Sequence, residues 1–217
     1  MTKFQKSLSG ILLLSTAGCA FQTNLAKKEF NNDTITSRID FYGYASHPAM
    51  WGQSISMWGE QNHDFNAKFE VYDGANTLIG TTDVYNTQLD AGYHDSILVI
   101  GNDTIFYNYT IDDAHPQNQR PHIRLRVKNT NTNYKVVLNS FAATGIVHYW
   151  NVVELTTGVG NWGMPFYTFG QHGVGGDREY SLGEPACTES AITVAAHRSE
   201  NVSSSGTAYP GALASFS

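Results

Sequence analysis

Histidine, aspartate, cysteine and tryptophan are the residues here with chemistry to offer, and their spacing decides how much of it they can do. Eight histidines occur, at His47, His63, His94, His115, His122, His148, His172 and His197. None stands in the H-x-H or H-x-x-x-H order that lets one element present two imidazoles to a metal ion. They read as strand-face and surface histidines. Asp112-Asp113-Ala114-His115 offers carboxylates beside an imidazole, enough to ligate a cation, although an acidic turn after a strand is the plainer reading. Gly173-Val174-Gly175-Gly176 lacks the G-x-G-x-x-G order and a preceding strand, which makes it a flexible loop and no phosphate cradle. Trp51, Trp58, Trp150 and Trp162 would suit sugar stacking on a sheet, but aromatics that pack a sheet are the commoner case. Cys187 has no base near it in sequence, and with Cys19 it makes too small a set for a disulfide framework. No metal site and no cofactor follows from this pattern.

The elements that must position these residues are strands. The chain has 217 residues, 41% of them apolar and only 15% charged, with 20 glycines, 12 tyrosines and 11 phenylalanines. Thr, Tyr and Phe favour strands while Asn and Gly favour turns, so a mainly β protein is expected and a helical bundle is excluded. The net charge of −6 carries no basic stripe, which argues against a nucleic-acid partner. No apolar run reaches the roughly 18 residues needed to span a bilayer, so no transmembrane segment is expected.

Period-two alternation is clearest in the middle. Phe65, Ala67, Phe69 and Val71 alternate with polar residues, as do Ile123, Leu125 and Val127, which predicts one buried and one wet face. Residues 105–111 and 134–138 are further strands. Turns fall at Asp73-Gly74, Ala91-Gly92 and Gly101-Asn102-Asp103, and Lys128 to Asn133 reads as a hairpin loop. Together these predict an antiparallel two-sheet sandwich over residues 35–153, with Val136 and Leu138 also inside.

The first thirty residues allow two readings. Lys3 and Lys6 precede an apolar stretch from Leu8 to Ala17, the outline of a secretory signal peptide. Thr16-Ala17-Gly18-Cys19 resembles a bacterial lipobox, with Thr where that pattern prefers Leu or Val. The other reading makes Gly10-Ile11-Leu12-Leu13-Leu14 a buried strand covered on both faces, and Ile192-Thr193-Val194-Ala195-Ala196 a second one.

Gly183, Pro185, Ala186, Ile192 to Ala196 and Ala214-Ser215-Phe216-Ser217 resemble, in order, a stretch of the subtilisin-like serine peptidases. Gly10 to Gly18 is similar to the family's strand that ends at the oxyanion-binding Asn, with Cys19 in the Asn position. Some bacterial members carry a jelly-roll insert between these segments, and Met50 to Ile55 and His122 to Leu125 resemble that insert. The resemblance implies a jelly-roll-like β-sandwich at 31–157. On either side, at 1–30 and 158–217, it implies two short pieces of an α/β core with parallel strands. It further implies that Gly10–Leu14 and Ile192–Ala196 are neighbours, that Glu184-Pro185 makes a tight bend, and that Gly183, Pro185 and Ala186 border the substrate cleft.

The same resemblance implies a serine endopeptidase fragment that is inactive alone. No H-G-T-H or G-T-S-M-A segment is present, so the Asp/His/Ser triad is absent as a unit. A thiol at Cys19 is a weak donor where an amide is strong, and removal of such an oxyanion donor costs about 10²–10³ in turnover. No cofactor is implied. Its partners would be the remainder of the peptidase core, or a peptide substrate in the parent, outside the cell or at its surface. The alternative is a secreted lipoprotein whose jelly roll binds glycan or protein.

Overall fold

The computed structural model describes residues 25–39, 50–128, 133–155, 162–176, 201–202 and 208–209. Among them strands dominate and no helix occurs. The chain divides into two compact units, one of residues 22–184 and one made of residues 1–21 with 185–217. Within the second, the described residues form one short antiparallel pair. The proposed core strands Gly10–Leu14 and Ile192–Ala196, and the bend at Glu184-Pro185, lie outside the described residues. No α/β core is shown among the described residues.

The larger unit is one antiparallel sheet of eleven strands, nearly closed into a barrel. In chain order these are β1 (Leu25–Ile39), β2 (Met50–Trp58), β3 (Asn66–Tyr72), β4 (Leu78–Thr81), β5 (Tyr85–Asn86), β6 (Gly92–Ile100) and β7 (Asp103–Asp112). Then follow β8 (His122–Lys128), β9 (Lys135–Leu155), β10 (Trp162–Gly163) and β11 (Phe166–Thr168). The short pair in the other unit is β12 (Asn201–Val202) and β13 (Ala208–Tyr209). The hydrogen-bonded path runs β11-β1-β9-β2-β8-β7-β6, and β3 joins it through β9 while holding β4 and β5.

Two long strands make the sheet continuous where a sandwich would have two separate sheets. Strand β1 pairs with β9 in one register from Leu25–Trp150 to Ile39–Val136. Midway both strands change which residues face inward. Ala26 and Phe30 are buried before the change and Ile35, Ser37 and Ile39 after it. On β9, Val136, Leu138 and Ser140 are buried, then Val147, Tyr149 and Val153. The switch needs backbone that L-residues avoid. Asn32 has φ 53° and Gly145 φ 94°, and Asn and Gly are the residues that accept positive φ most readily. Glu60 accepts a hydrogen bond from the Ile146 amide (3.1 Å) just past this corner.

The first half of β9 pairs with β3 on its other edge and the second half with β2, so the two halves of the sheet face each other across the core. Phe69 of β3 meets Tyr107 of β7 edge-on at 5.0 Å across that core. Strand β4 then lies near β6, where a Cβ on Gly80 would stand 2.9 Å from Leu98.

Phe65, Phe69, Val71, Ile123, Leu125, Val127, Val136 and Leu138 are all buried, and Arg124 is exposed, as the alternation predicts. Gly101-Asn102 closes the β6–β7 hairpin with positive φ at the glycine alone, the pattern of a type II′ turn. Three expectations are corrected, the two-sheet sandwich first, since one continuous sheet stands in its place. Lys128 to Asn133 is no hairpin loop, because β2 lies between β8 and β9. Gly173 to Gly176 is pinned to the sheet. The Val174 amide donates to Thr36 (2.9 Å), Ser37 Oγ donates to the Val174 carbonyl (2.6 Å), and the Gly176 amide donates to Phe166 (3.0 Å).

Candidate functional site

The sequence-predicted positions Cys19, Gly183, Pro185 and Ala186 lie outside the described residues. What the sheet does assemble is a polar cluster on the outer face of its second half. The register sets Asp112 of β7 opposite His122 of β8, His122 opposite Trp58 of β2, and Trp58 opposite His148 of β9. Directly opposed residues in antiparallel strands share a face, so these four form one row across the sheet. Ser56 follows two residues before Trp58 and therefore points the same way.

His122 is the centre of the row. Its Nδ1 lies 3.2 Å from Asp112 Oδ2 and its Nε2 lies 3.0 Å from Ser56 Oγ. Trp58 Nε1 donates to the same Ser56 oxygen at 2.9 Å. The Trp58 ring stacks on His122 with centroids 4.0 Å apart, which buries an imidazole that alternation alone would leave wet. Burial pushes His122 below its ordinary value of 6.5, and the hydrogen bond to the Asp112 carboxylate pulls the other way without winning.

The loop between β7 and β8 brings in His115. It closes on itself, with the His115 amide donating to Arg120 (2.9 Å) and the Gln119 amide to His115 (2.8 Å). Gln119 takes φ 57° to allow this. Gly59 donates its amide to Pro121 (2.9 Å), fixing the loop to the end of β2. His115 then meets Trp58 edge-on at 4.9 Å and His122 edge-on at 5.7 Å. Ligating atoms of Asp112, His115 and His122 all fall within 4.8 Å of one another.

Sequence spacing finds Asp112 and His115 but not His122, Ser56 or Trp58. The available signal is parity: in β8 the even positions face outward, which sends His122 to the face where Asp112 ends β7. The tryptophans do not build one platform. Trp58 lies on His122, while Trp150 stacks near His148 at 5.9 Å.

Chemically, carboxylate, imidazole and hydroxyl stand here in the order of a serine hydrolase relay. The hydroxyl is poorly placed as a nucleophile. Ser56 Oγ already accepts the Trp58 indole N–H, which lowers its electron density. The stacked Trp58 ring also covers the imidazole that would act as base. The arrangement is better suited to holding His122 in a fixed orientation and tautomer.

No family model matches the chain, and no curated protein sequence does. Among solved structures, the fold is similar to that of the Clostridium perfringens CspB protease, with a TM-score of 0.52 and 12% identity. The match covers 83% of this chain and 33% of that one, so this chain corresponds to about a third of that protein's length. At this identity the likeness is one of fold. No helix among the described residues is long and apolar enough to cross a membrane.

Proposed function

We infer that this chain is a piece of a subtilisin-like serine endopeptidase, in which a jelly-roll-like β domain is inserted between two segments of the catalytic core. The observation that carries the reading is the fold likeness to a protease over most of this chain but a third of the other. It is supported by the order of subtilase-like segments in the sequence, Gly10 to Gly18 before the β domain and Gly183 to Ala196 after it. The grouping of residues 1–21 with 185–217, apart from 22–184, is the partition that an inserted domain produces. Placement outside the cell or at its surface belongs to the same reading.

By itself the 217-residue chain should not hydrolyse peptides, because its sequence holds no H-G-T-H or G-T-S-M-A segment and Cys19 aligns with the family's oxyanion Asn. Two measurements test this. The coding DNA on either side should encode D-x-G and H-G-T-H segments upstream and G-T-S-M-A downstream. Flanks without them overturn the reading and favour the lipoprotein. The purified chain should hydrolyse neither casein nor peptide esters and should resist a serine-directed fluorophosphonate. Stoichiometric labelling of any serine, Ser56 included, would overturn the assignment of an inactive fragment.

A further inference from the structure

We propose that Asp112, His115 and His122 form a binding site for a first-row divalent transition ion of the zinc type. The inference rests on the β domain alone and stands whether or not the chain derives from a peptidase. Two imidazoles and one carboxylate are a borderline N₂O donor set, which suits zinc, nickel or copper and not magnesium or calcium, whose sites are built from oxygens.

Three observations point to an ion. First, metal–ligand bonds of about 2.0–2.2 Å place neighbouring tetrahedral ligands roughly 3.3–3.6 Å apart. Asp112 Oδ2 and His122 Nδ1, at 3.2 Å, are already near that separation. His115 is on a loop rather than a strand, and its ligating nitrogen lies within 4.8 Å of the other two ligand atoms.

Second, His122 has the outer partner that metal-bound histidines use. Its Nδ1 faces the Asp112 carboxylate at 3.2 Å while Nε2 engages Ser56 Oγ at 3.0 Å, an outer partner that can accept Nε2–H once Nδ1 binds a metal. A metal ion bound here would take the place of the proton shared between Nδ1 and the carboxylate. The Trp58 ring and the Ser56 hydroxyl restrict rotation of the imidazole, so the site is organised before the ion arrives.

Third, the donors come from a rigid frame. Asp112 and His122 are an opposed pair at the ends of β7 and β8, and His115 sits in the internally hydrogen-bonded loop that joins them. Three protein ligands leave the remaining coordination positions to water or to a group from outside the chain.

The test is zinc titration of the full chain at about pH 7.5, followed by calorimetry and by the urea midpoint with and without metal. The wild type should take up one zinc per chain that magnesium does not displace, and its midpoint should rise with zinc. His115→Ala, on the loop and outside the core, should fold normally without metal and bind zinc at least tenfold more weakly. Asp112→Asn, which keeps the shape and removes the charge, should behave the same way. His172→Ala, at an exposed histidine elsewhere, should bind as the wild type does. Failure of the wild type to bind one equivalent, or undiminished binding by His115→Ala, would overturn the site.

Discussion

Strands β9 and β6 belong to the same sheet but differ in how many neighbours each has. Strand β9 pairs with β1 along one edge, and with β3 and then β2 along the other. Its residues Val136 to Ser140 are buried on five consecutive positions, so both faces are covered there. Tyr72 beside Phe169 (4.8 Å) and Arg38 over Tyr167 (4.7 Å) help cover the outer one. Among the described strands β6 is hydrogen-bonded to β7 alone, and Tyr93, Ile97 and Val99 stand exposed on its outer face. A residue type therefore does not fix its energetic weight: a valine at 136 and one at 99 occupy opposite ends of the stability scale. The contrast yields an ordered set of expectations.

The largest effect belongs to the core that β9 organises. Phe69 pairs on β3 with Leu138 of β9, is fully buried, and is the residue that touches Tyr107 from the facing half. Phe69→Ala should cost about 3–5 kcal/mol, from lost transfer energy and the cavity between the halves. A urea denaturation midpoint checks it. A loss below about 1 kcal/mol would mean that the two halves do not depend on each other through this contact.

The corner comes next. Gly145 has φ 94°, and a Cβ there would stand 2.9 Å from the His63 side chain. The nearest atom is His63 Cβ, which no change of rotamer moves, so this contact adds to the backbone strain. Gly145→Ala should destabilise by about 1–3 kcal/mol. Adding His63→Gly, which removes that Cβ, should recover only part of the loss. Full recovery would assign the cost to the contact and leave the backbone unstrained.

This corner also marks how far the sequence could be read. Strands β3, β7 and β8 keep one parity from end to end, so alternation locates their core residues correctly. Strand β9 changes parity at Gly145, which hides a 21-residue strand behind a short apolar run at 134–138. The Lys128–Asn133 connection misleads for a related reason, since chain neighbours β8 and β9 are separated in space by β2. The candidate site follows the same rule. Asp112 and His115 are close in sequence and readable, whereas Ser56 and Trp58 join them only through the β2–β8 register. That register is a long-range property with no local signature.

A smaller effect lies on the outer face of the β3–β9 half. Burial would raise the Glu70 carboxyl, but hydrogen bonds from Lys68 (2.7 Å) and Tyr72 (2.7 Å) outweigh it and hold the group below its ordinary value of 4.5. The Tyr72 hydroxyl is correspondingly pushed up to about 12, first by burial and then by Glu70. A depressed carboxylate contributes stability that is present above the unfolded value and is lost as pH falls through the folded one. Wild-type stability should thus fall on acidification below 4.5, and Glu70→Gln should flatten that part of the profile. Urea midpoints between about pH 3 and pH 6 would show it. An unchanged slope would remove Glu70 from the acid-sensitive set.

The smallest stability effect should come from β6, and it is the one that separates the two strands most sharply. Ile97 and Val99 are 54% and 61% exposed, and Phe106, opposite Ile97 on β7, is 47% exposed. Leu98 and Ile100 alternate with them and pack inward against the core near Gly80. The strand is thus amphipathic in position but apolar on both sides, with Asp95 the one charge along its length. Exchange of the outward pair, Ile97→Thr with Val99→Thr, keeps β-branching and strand propensity while removing apolar surface from water. Stability should change by no more than about 0.5 kcal/mol. Self-association, followed by light scattering across a concentration series, should fall, because a bare apolar edge strand is a template for pairing with another chain. The inward change Leu98→Thr should instead destabilise measurably. If the outward pair costs as much as the inward one, β6 has a covering partner on that face and the contrast with β9 disappears.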